Sequence, residues 1–129
     1  MARILVVEDD PDARDMMSRA LSKAGHDVEA ASNGRDALAA ISRDKSQLIV
    51  LDVRMPVMDG VTFMQVLRSY LRWHDLPVIV VTAITDSTEL ERVMKYDVAE
   101  VFEKANFQLT DFLTRVNEIV PRPDRRDLR

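Results

Sequence analysis

Five polar residues with complementary chemistry occur where the sequence predicts that strands end. They offer three carboxylates, one hydroxyl and one ammonium group: Glu8, Asp9, Asp52, Thr82 and Lys104. Parallel strands bring their carboxyl ends to one edge of a sheet, so these groups are expected to converge. Clustered carboxylates repel one another and favour a cation, and oxygen ligands without His or Cys nearby suit Mg²⁺. A metal, an ammonium group, a hydroxyl donor and a carboxylate nucleophile are the groups that in-line phosphoryl transfer uses.

The elements that must position these residues are five strands, each followed by a helix. The central strand is predicted at residues 48–51, an unbroken apolar run typical of a strand buried on both faces. The other strands are predicted at residues 3–7, 28–31, 77–81 and 98–103. Helices are predicted at residues 11–24, after a turn at Asn33-Gly34, and at 61–71, 87–96 and 107–120. This alternation predicts an α/β fold with a five-stranded parallel sheet, helices on both faces and right-handed crossovers.

A few side chains are assigned to the core or to the surface by pattern alone. Met94 in the fourth helix and Leu109 in the fifth follow the helical apolar spacing, so both are predicted to face inward. Trp73 and His74 belong to the connector after the third helix and are predicted to lie on the loop surface.

Composition and charge narrow the class of protein. The 129 residues are predicted to form one domain over 1–120, with 121–129 as a polar tail or a linker stub. The net charge of −4 at pH 7 argues against nonspecific binding to nucleic acid or to a membrane surface. The absence of cysteine excludes disulfides, thiolate catalysis and Cys-ligated metals. No apolar run approaches the roughly 20 residues of a membrane helix and no signal peptide precedes Ile4, so a cytoplasmic location is expected.

At the strand ends the sequence resembles the receiver domains of two-component response regulators, including chemotaxis regulators. The resemblance covers roughly residues 3–120, and its motifs are ILVVEDDP, LDVRMPVMDG, PVIVVTA and a lysine after the fifth strand. It implies a flavodoxin-like doubly wound fold with strand order 2-1-3-4-5. It also implies that the domain takes a phosphoryl group from a sensor histidine kinase or phosphotransfer protein. Phosphorylation would then switch the binding of the domain to a downstream protein target or to an output domain.

The same resemblance implies a role for each site residue. Asp52 would be the phosphoacceptor. Mg²⁺ would be held by oxygen atoms of four residues: Asp9, Asp52, the backbone carbonyl of Arg54, and Glu8 through a water molecule or an indirect contact. Three residues would bind the phosphoryl group and start the switch: Thr82, Ala83 and Lys104. Three more would modulate the lifetime of the phosphorylated form or its readout: Arg54, Ile84 and Val101.

Two positions depart from the family pattern. Ala105 follows Lys104 where the family usually has proline after a cis bond. A cis bond before a non-proline residue costs roughly 3 kcal/mol, so this loop is either strained or rearranged. Val101 stands where the family has a switching aromatic residue, and Phe102 should point to the opposite face of the sheet. The readout is therefore expected to rest on movement of residues 82–84 and the fourth helix. The face made by that helix, the fifth strand and the fifth helix would bind partners, with a homodimer as one option.

Other functions stay open on sequence grounds. A pseudo-receiver whose output does not depend on phosphate is favoured by Val101 and Ala105, and labelling with a phosphoryl donor would distinguish it. A Mg²⁺-dependent phosphohydrolase usually needs a second acid two residues after the nucleophile, where this chain has Arg54. A flavin or nucleotide carrier is compatible with the fold, but no glycine-rich phosphate loop is present. The domain is not expected to be an enzyme beyond its own phosphorylation and slow dephosphorylation.

Overall fold

The computed structural model describes residues 2–43, 46–53, 58–70, 73–83 and 87–120, which alternate between strands and helices. In chain order the elements are β1 (Arg3–Val7), α1 (Pro11–Lys23), β2 (Asp27–Ala31), α2 (Gly34–Arg43), β3 (Leu48–Leu51), α3 (Gly60–Ser69), β4 (Val78–Thr82), α4 (Ser87–Met94), β5 (Glu100–Glu103) and α5 (Leu109–Ile119). A short 3-10 turn, Lys104–Asn106, joins β5 to α5. The bounds of β1 and β3 are those predicted, and the other strands differ from prediction by one or two residues.

The strands of the described chain form one parallel sheet in the order β2-β1-β3-β4-β5. The register places Val7 beside both Ala31 and Leu51, and it places Thr82 beside Glu103. The carboxyl ends of the strands therefore meet at one edge, which is the edge where sites form in open α/β sheets. The predicted α/β fold and strand order are confirmed.

Alternation along the strands divides the core into two apolar layers. Leu5 and Val7 face a layer that contains Phe63 and Leu67 of α3 and that also receives α2 and α4. Ile4 and Val6 face the opposite layer, which is made largely by α1 and α5 and includes Phe112. Because both faces of the sheet are covered, β3 and β4 are buried along their whole length.

The amino ends of α1 and α2 are set by side-chain caps. Asp10 caps α1 by accepting a hydrogen bond from the Asp12 amide at 3.2 Å, as the sequence predicts. The predicted turn at Asn33-Gly34 is instead the start of α2. Asn33 Oδ1 accepts from the Asp36 amide at 2.8 Å, and Asn33 Nδ2 donates to Asp36 Oδ2 at 3.1 Å. Asn33 therefore caps α2 through its side chain, and Gly34 is the first helical residue.

Three side chains lie in surroundings other than those predicted. Met94 and Leu109 were both expected in the core, but they are 53% and 39% exposed. Both stand at a helix end, Met94 closing α4 and Leu109 opening α5, where neighbouring elements cover less of the helix surface. Trp73 was expected on the loop surface, but it is half-buried against the α2–α3–α4 layer and its ring lies 4.8 Å from that of Tyr70. Exposed His74 agrees with prediction.

A half-buried arginine, for which the sequence offers no local signal, joins two connectors at the amino edge of the sheet. The Arg68 guanidinium donates to the carbonyls of Trp73 at 3.1 Å and Leu76 at 2.8 Å, in the connector after α3. It also donates to the carbonyls of Tyr96 at 2.7 Å and Asp97 at 3.1 Å, just after α4. These bonds anchor the carboxyl end of α4 to the body of the domain.

The tight packing at Gly60 predicts a large loss of stability in Gly60→Ala. A Cβ at Gly60 would lie 2.5 Å from Val53 Cα and 3.0 Å from the Val53 carbonyl oxygen, and backbone atoms cannot move aside cheaply. We expect the free energy of unfolding to fall by about 2–4 kcal/mol in urea denaturation. Gly25→Ala is the control, because Gly25 has open space but a φ of +98°. Its loss should be only about 1 kcal/mol, and a similar loss in both variants would contradict the packing explanation.

Candidate functional site

Three carboxylates meet at the carboxyl edge of the sheet. Glu8 and Asp9 follow β1, and Asp52 follows the adjacent strand β3. One ligand oxygen from each lies within 4.8 Å of the others, with Glu8 and Asp52 buried and Asp9 exposed. Extensions of the sheet ladder hold the two buried residues, since the Glu8 amide donates to the Ala31 carbonyl at 3.0 Å and the Asp52 amide to the Val7 carbonyl at 2.9 Å. The two buried carboxylates are therefore anchored to the adjacent strands of the sheet.

Lys104 brings a positive charge to the same cluster from the end of β5. Its Nζ lies 2.5 Å from Glu8 Oε1 and 3.4 Å from Asp52 Oδ2, and its side chain is 28% exposed. At this distance the Lys104 ammonium forms an ion pair with the buried Glu8 carboxylate. The sequence predicts that these residues converge, but it does not indicate that Lys104 lies closest to Glu8.

The surroundings within this cluster shift the pKa values of two residues, Glu8 and Lys104. Burial raises the pKa of the Glu8 carboxyl to about 8, with a further contribution from neighbouring Asp52 that outweighs the opposite influence of Lys104. Burial by itself lowers the pKa of the Lys104 ammonium, but contact with Glu8 and the charge of Asp52 outweigh burial, so its pKa is raised. Near neutral pH without a cation, the site therefore keeps Lys104 charged and favours protonated Glu8.

Three phenylalanines hold the turn that carries Lys104. Phe102 precedes the turn and Phe107 follows it, and their ring centroids lie 6.1 Å apart. Both pack against Phe112 of α5, with centroid separations of 5.8 and 5.3 Å. The described peptide bonds include no cis bond, so Lys104–Ala105 is trans and the turn has the rearranged form of the two alternatives. This cluster was not predicted, although the sequence carries a signal for it: an aromatic residue on each side of Lys104.

The other predicted site residues fall around this centre or outside the described residues. Thr82 ends β4 and is fully buried, and exposed Ala83 follows it. Val101 is half-buried against the α2–α3–α4 layer, whereas Phe102 packs in the α1–α5 layer. The predicted opposite orientation of Val101 and Phe102 is thus confirmed. Arg54 and Ile84 lie outside the described residues.

The donor set fits a small, hard cation. Mg²⁺ binds oxygen ligands at about 2.1 Å, and the three carboxylate oxygens lie within 4.8 Å of one another, near enough to surround one ion. All three are oxygen donors, and a divalent ion would relieve both their repulsion and the exclusion of charged Glu8 from water. Glu8, Asp9 and Asp52 are therefore able to hold the ion. When bound, it would supply charge stabilisation for phosphoryl oxygens.

The raised pKa of the Glu8 carboxyl predicts how the free energy of unfolding depends on pH when metal is absent. The pKa of Glu8 is about 8 when folded and 4.5 ordinarily, so its contribution is fully present below pH 4.5 and is lost as pH rises through 8. With EDTA, the free energy of unfolding of the native chain should fall across this range relative to Glu8→Gln. The difference is at most on the order of 5 kcal/mol, at about 1.4 kcal/mol per pKa unit. Urea denaturation at pH 5 and pH 8.5 measures it, and parallel pH profiles would contradict the assignment.

The chain resembles known signalling proteins along most of its length. The profile of the family described as response regulator receiver domain matches residues 4–117. Response regulator MprA of Mycolicibacterium vanbaalenii is 41% identical over 121 residues, which cover 93% of this chain and 51% of the relative. The DNA-binding dual master transcriptional regulator RpaA of Synechocystis sp. is 34% identical over 126 residues, covering 97% of this chain and 52% of the relative. The chain spans about half the length of these relatives.

Solved structures match the fold across nearly the whole domain. The chemotaxis protein CheY4 of Vibrio cholerae superposes with a TM-score of 0.84 at 29% identity, covering 93% of this chain and 99% of the matched chain. A response regulator receiver protein from Pseudomonas putida superposes with a TM-score of 0.85 at 28% identity, covering 91% of this chain and 96% of the matched chain.

In the described parts of the chain, no helix combines the length and the apolar composition that crossing a membrane requires.

Proposed function

This chain belongs to the response regulator receiver domain family, and from that premise we propose that Asp52 accepts the phosphoryl group in two-component signalling. The observation that carries the proposal is the buried Asp52 carboxylate with the Lys104 ammonium 3.4 Å away and the Glu8–Asp9 pair beside it. Among the other described acids, Glu8 shares the strand-end position, the nearby cation and the carboxylate cluster, but burial raises its pKa to about 8, and a protonated carboxyl is a poor nucleophile. A phosphate-independent pseudo-receiver would not require these groups to converge.

The proposed reaction is an in-line displacement at phosphorus. An oxygen of Asp52 attacks, an acyl phosphate forms, and the bond from phosphorus to the donor's histidine nitrogen or acyl oxygen breaks, with the electron pair leaving on the donor. Mg²⁺ is the proposed cofactor, held by Asp9, Asp52 and the backbone carbonyl of Arg54, with Glu8 contributing through a water molecule or an indirect contact. Lys104 can exchange part of its contact with Glu8 for a phosphoryl oxygen. The chain catalyses only this step and slow dephosphorylation.

The setting of the reaction follows from the family. We propose a sensor histidine kinase or phosphotransfer protein as the donor, and a downstream protein or a linked output domain as the target. Partners are proposed to bind the face formed by α4, β5 and α5, where a second copy of the chain is an alternative occupant. The receiver unit is placed at residues 1–120, with 121–129 as a polar tail or linker. The proposed location is the cytoplasm, without direct contact with nucleic acid.

Incubation with acetyl phosphate tests the function directly. With Mg²⁺, intact-mass spectrometry should show the addition of one phosphoryl group to the native chain, and with EDTA the addition should be lost. Fresh protein that stays unmodified under both conditions, while retaining its circular dichroism spectrum, would reject the proposal and favour the pseudo-receiver.

Thr82 is proposed to pass the phosphorylation signal to α4. Its buried position at the end of β4, one residue before exposed Ala83, lets a hydroxyl that turns toward the phosphoryl group move the chain leading to α4. Val101 is small and stiff at χ1, so it cannot swing as an aromatic side chain does. In Thr82→Ala, phosphorylation should continue while amide shift changes in α4 are lost from the NMR spectrum.

Thr82→Ser retains the hydroxyl and should preserve the α4 response, and Val101→Ala should leave it nearly unchanged. Shift changes confined to the immediate pocket of the phosphorylated native chain would contradict this route.

A further inference from the structure

The loop between β1 and α1 carries two of the three clustered carboxylates, and one residue contacts its backbone at three consecutive positions. The guanidinium of Arg14, through one nitrogen, donates to the Glu8 carbonyl at 3.0 Å and more weakly to the Asp9 carbonyl at 3.4 Å. The Arg14 amide donates to the Asp10 carbonyl at 2.9 Å, which is an ordinary helical bond, so only the contacts with Glu8 and Asp9 depend on the Arg14 side chain. Arg14 lies in the second turn of α1 and is half-buried, so a packed helix supports these contacts.

The loop depends on these contacts because its own side chains do little to fix Asp9. The Glu8 carboxylate is buried and accepts from the Asp10 amide at 3.3 Å, but Asp9 is exposed. The direction in which the Asp9 carboxylate points is therefore set mainly by the backbone between Glu8 and Asp10. A planar guanidinium is suited to this task, since its donors are rigidly arranged and it remains charged.

We infer that Arg14 is a positioning residue for the metal site, holding the Glu8–Asp9 backbone so that both carboxylates face Asp52. This inference rests on the proposed function only in taking Mg²⁺ as the ion. Arg14 donates to backbone carbonyls, so it acts through Glu8 and Asp9 without contacting the metal or the phosphoryl group itself.

The positive charge of Arg14 and its positioning role predict opposite changes in the Mg²⁺ affinity when Arg14 is replaced. A cation beside the site repels Mg²⁺, so removing the charge should by itself tighten binding. Residues that orient metal ligands are typically responsible for a 10- to 100-fold difference in affinity, so losing the tether should weaken binding. Arg14 is half-buried and its charge is still partly screened by water and salt, and we therefore expect the loss of positioning to dominate. The direction of the change in Kd separates the two explanations.

The experiment is calorimetric titration of the full chain with MgCl₂ for the native protein, Arg14→Met, Arg14→Lys and Arg19→Met. Arg14→Met should raise the Mg²⁺ Kd about tenfold. Arg14→Lys keeps the charge but loses the planar fork, so its Kd should fall between those of the native protein and Arg14→Met. Arg19→Met is the control: it removes the same charge from α1, at an 81% exposed side chain that pairs only with Asp15 among the described residues. Its Kd should change less than about twofold.

Phosphorylation kinetics supply a second measurement that a general loss of stability would not reproduce. In Arg14→Met, the Mg²⁺ concentration for half-maximal phosphorylation by acetyl phosphate should rise about tenfold, with a much smaller change in the maximal rate. Thermal unfolding in EDTA shows whether the variant is folded, and Arg14→Lys provides the same comparison if it is not.

The outcomes are distinguishable. Native-like or tighter Mg²⁺ binding by both Arg14 variants would overturn the positioning role while leaving the proposed function intact. A native chain that binds no Mg²⁺ would instead overturn the proposed cofactor, and the role of Arg14 with it. Equal weakening in Arg19→Met and Arg14→Met would show that the effect does not depend on the contacts of Arg14 with the loop and would likewise overturn the inference.

Discussion

Asp52→Asn is expected to abolish phosphoryl transfer to this chain, because it removes the attacking oxygen while retaining the shape of the side chain. Asp52 is only 5% exposed, and its amide is held by the Val7 carbonyl at 2.9 Å, so asparagine should keep the same position at the end of β3. An amide oxygen is a far weaker nucleophile than a carboxylate. With acetyl phosphate and Mg²⁺, intact-mass spectrometry should detect no phosphoryl addition, a loss on the order of 100-fold or more.

Asp10→Asn is the matched control for this loss of charge. Asp10 lies at the same edge of the sheet, but its side chain caps α1 through the Asp12 amide, and asparagine caps helices equally well. Its labelling should remain close to that of the native chain. If Asp52→Asn is labelled as fully as Asp10→Asn, Asp52 is not the phosphoacceptor.

Asp9→Asn is expected to weaken Mg²⁺ binding and phosphorylation together. Asp9 is the exposed member of the three clustered carboxylates, which makes it the one that an incoming hydrated ion meets first. Losing a charged ligand should raise the Mg²⁺ Kd by about tenfold or more, as measured by calorimetric titration. The phosphorylation rate at a fixed low Mg²⁺ concentration should fall by a similar factor, since the metal balances the charge of the phosphoryl group.

Glu103→Gln tests whether that effect is specific. Glu103 is an exposed acid at the end of β5, directly before Lys104, and its carboxylate accepts from Asn106 at 3.3 Å. Removing its charge should change the Mg²⁺ Kd less than about twofold, because screening weakens the effect of exposed charges. Equal effects from Asp9→Asn and Glu103→Gln would indicate a general field effect and would remove Asp9 from the proposed ligand set.

In the proposed switch, the two edges of the sheet would have different roles. At the carboxyl edge, phosphorylation of Asp52 would change the charge around Lys104 and Thr82. At the opposite edge, Arg68 ties the carboxyl end of α4 to the connector after α3 through the carbonyls of Tyr96 and Asp97. A helix that is anchored at one end can respond to a change at its other end by tilting. A partner bound to the α4–β5–α5 face could detect this movement of α4.

The sequence by itself determined the fold class, the alternation of elements and the convergence of the charged groups. Apolar runs such as β3 are local features with strong burial preferences, so their bounds followed from composition alone. Once the strands were known to be parallel, geometry required Asp52 and Glu8 to share an edge, and the structure has them there.

The tertiary structure decided which side chains contact one another, because such contacts join residues far apart in the chain. Lys104 lies closer to Glu8 than to Asp52. This arrangement depends on the three phenylalanines that position the turn after β5. Met94 fits the helical apolar pattern yet is exposed, since periodicity describes a helix and not the neighbours that cover it. Arg14 and Arg68 carry no sequence signal for the carbonyls that they bind, as backbone acceptors have no residue type. Their partners are specified only when the loops and helices have packed.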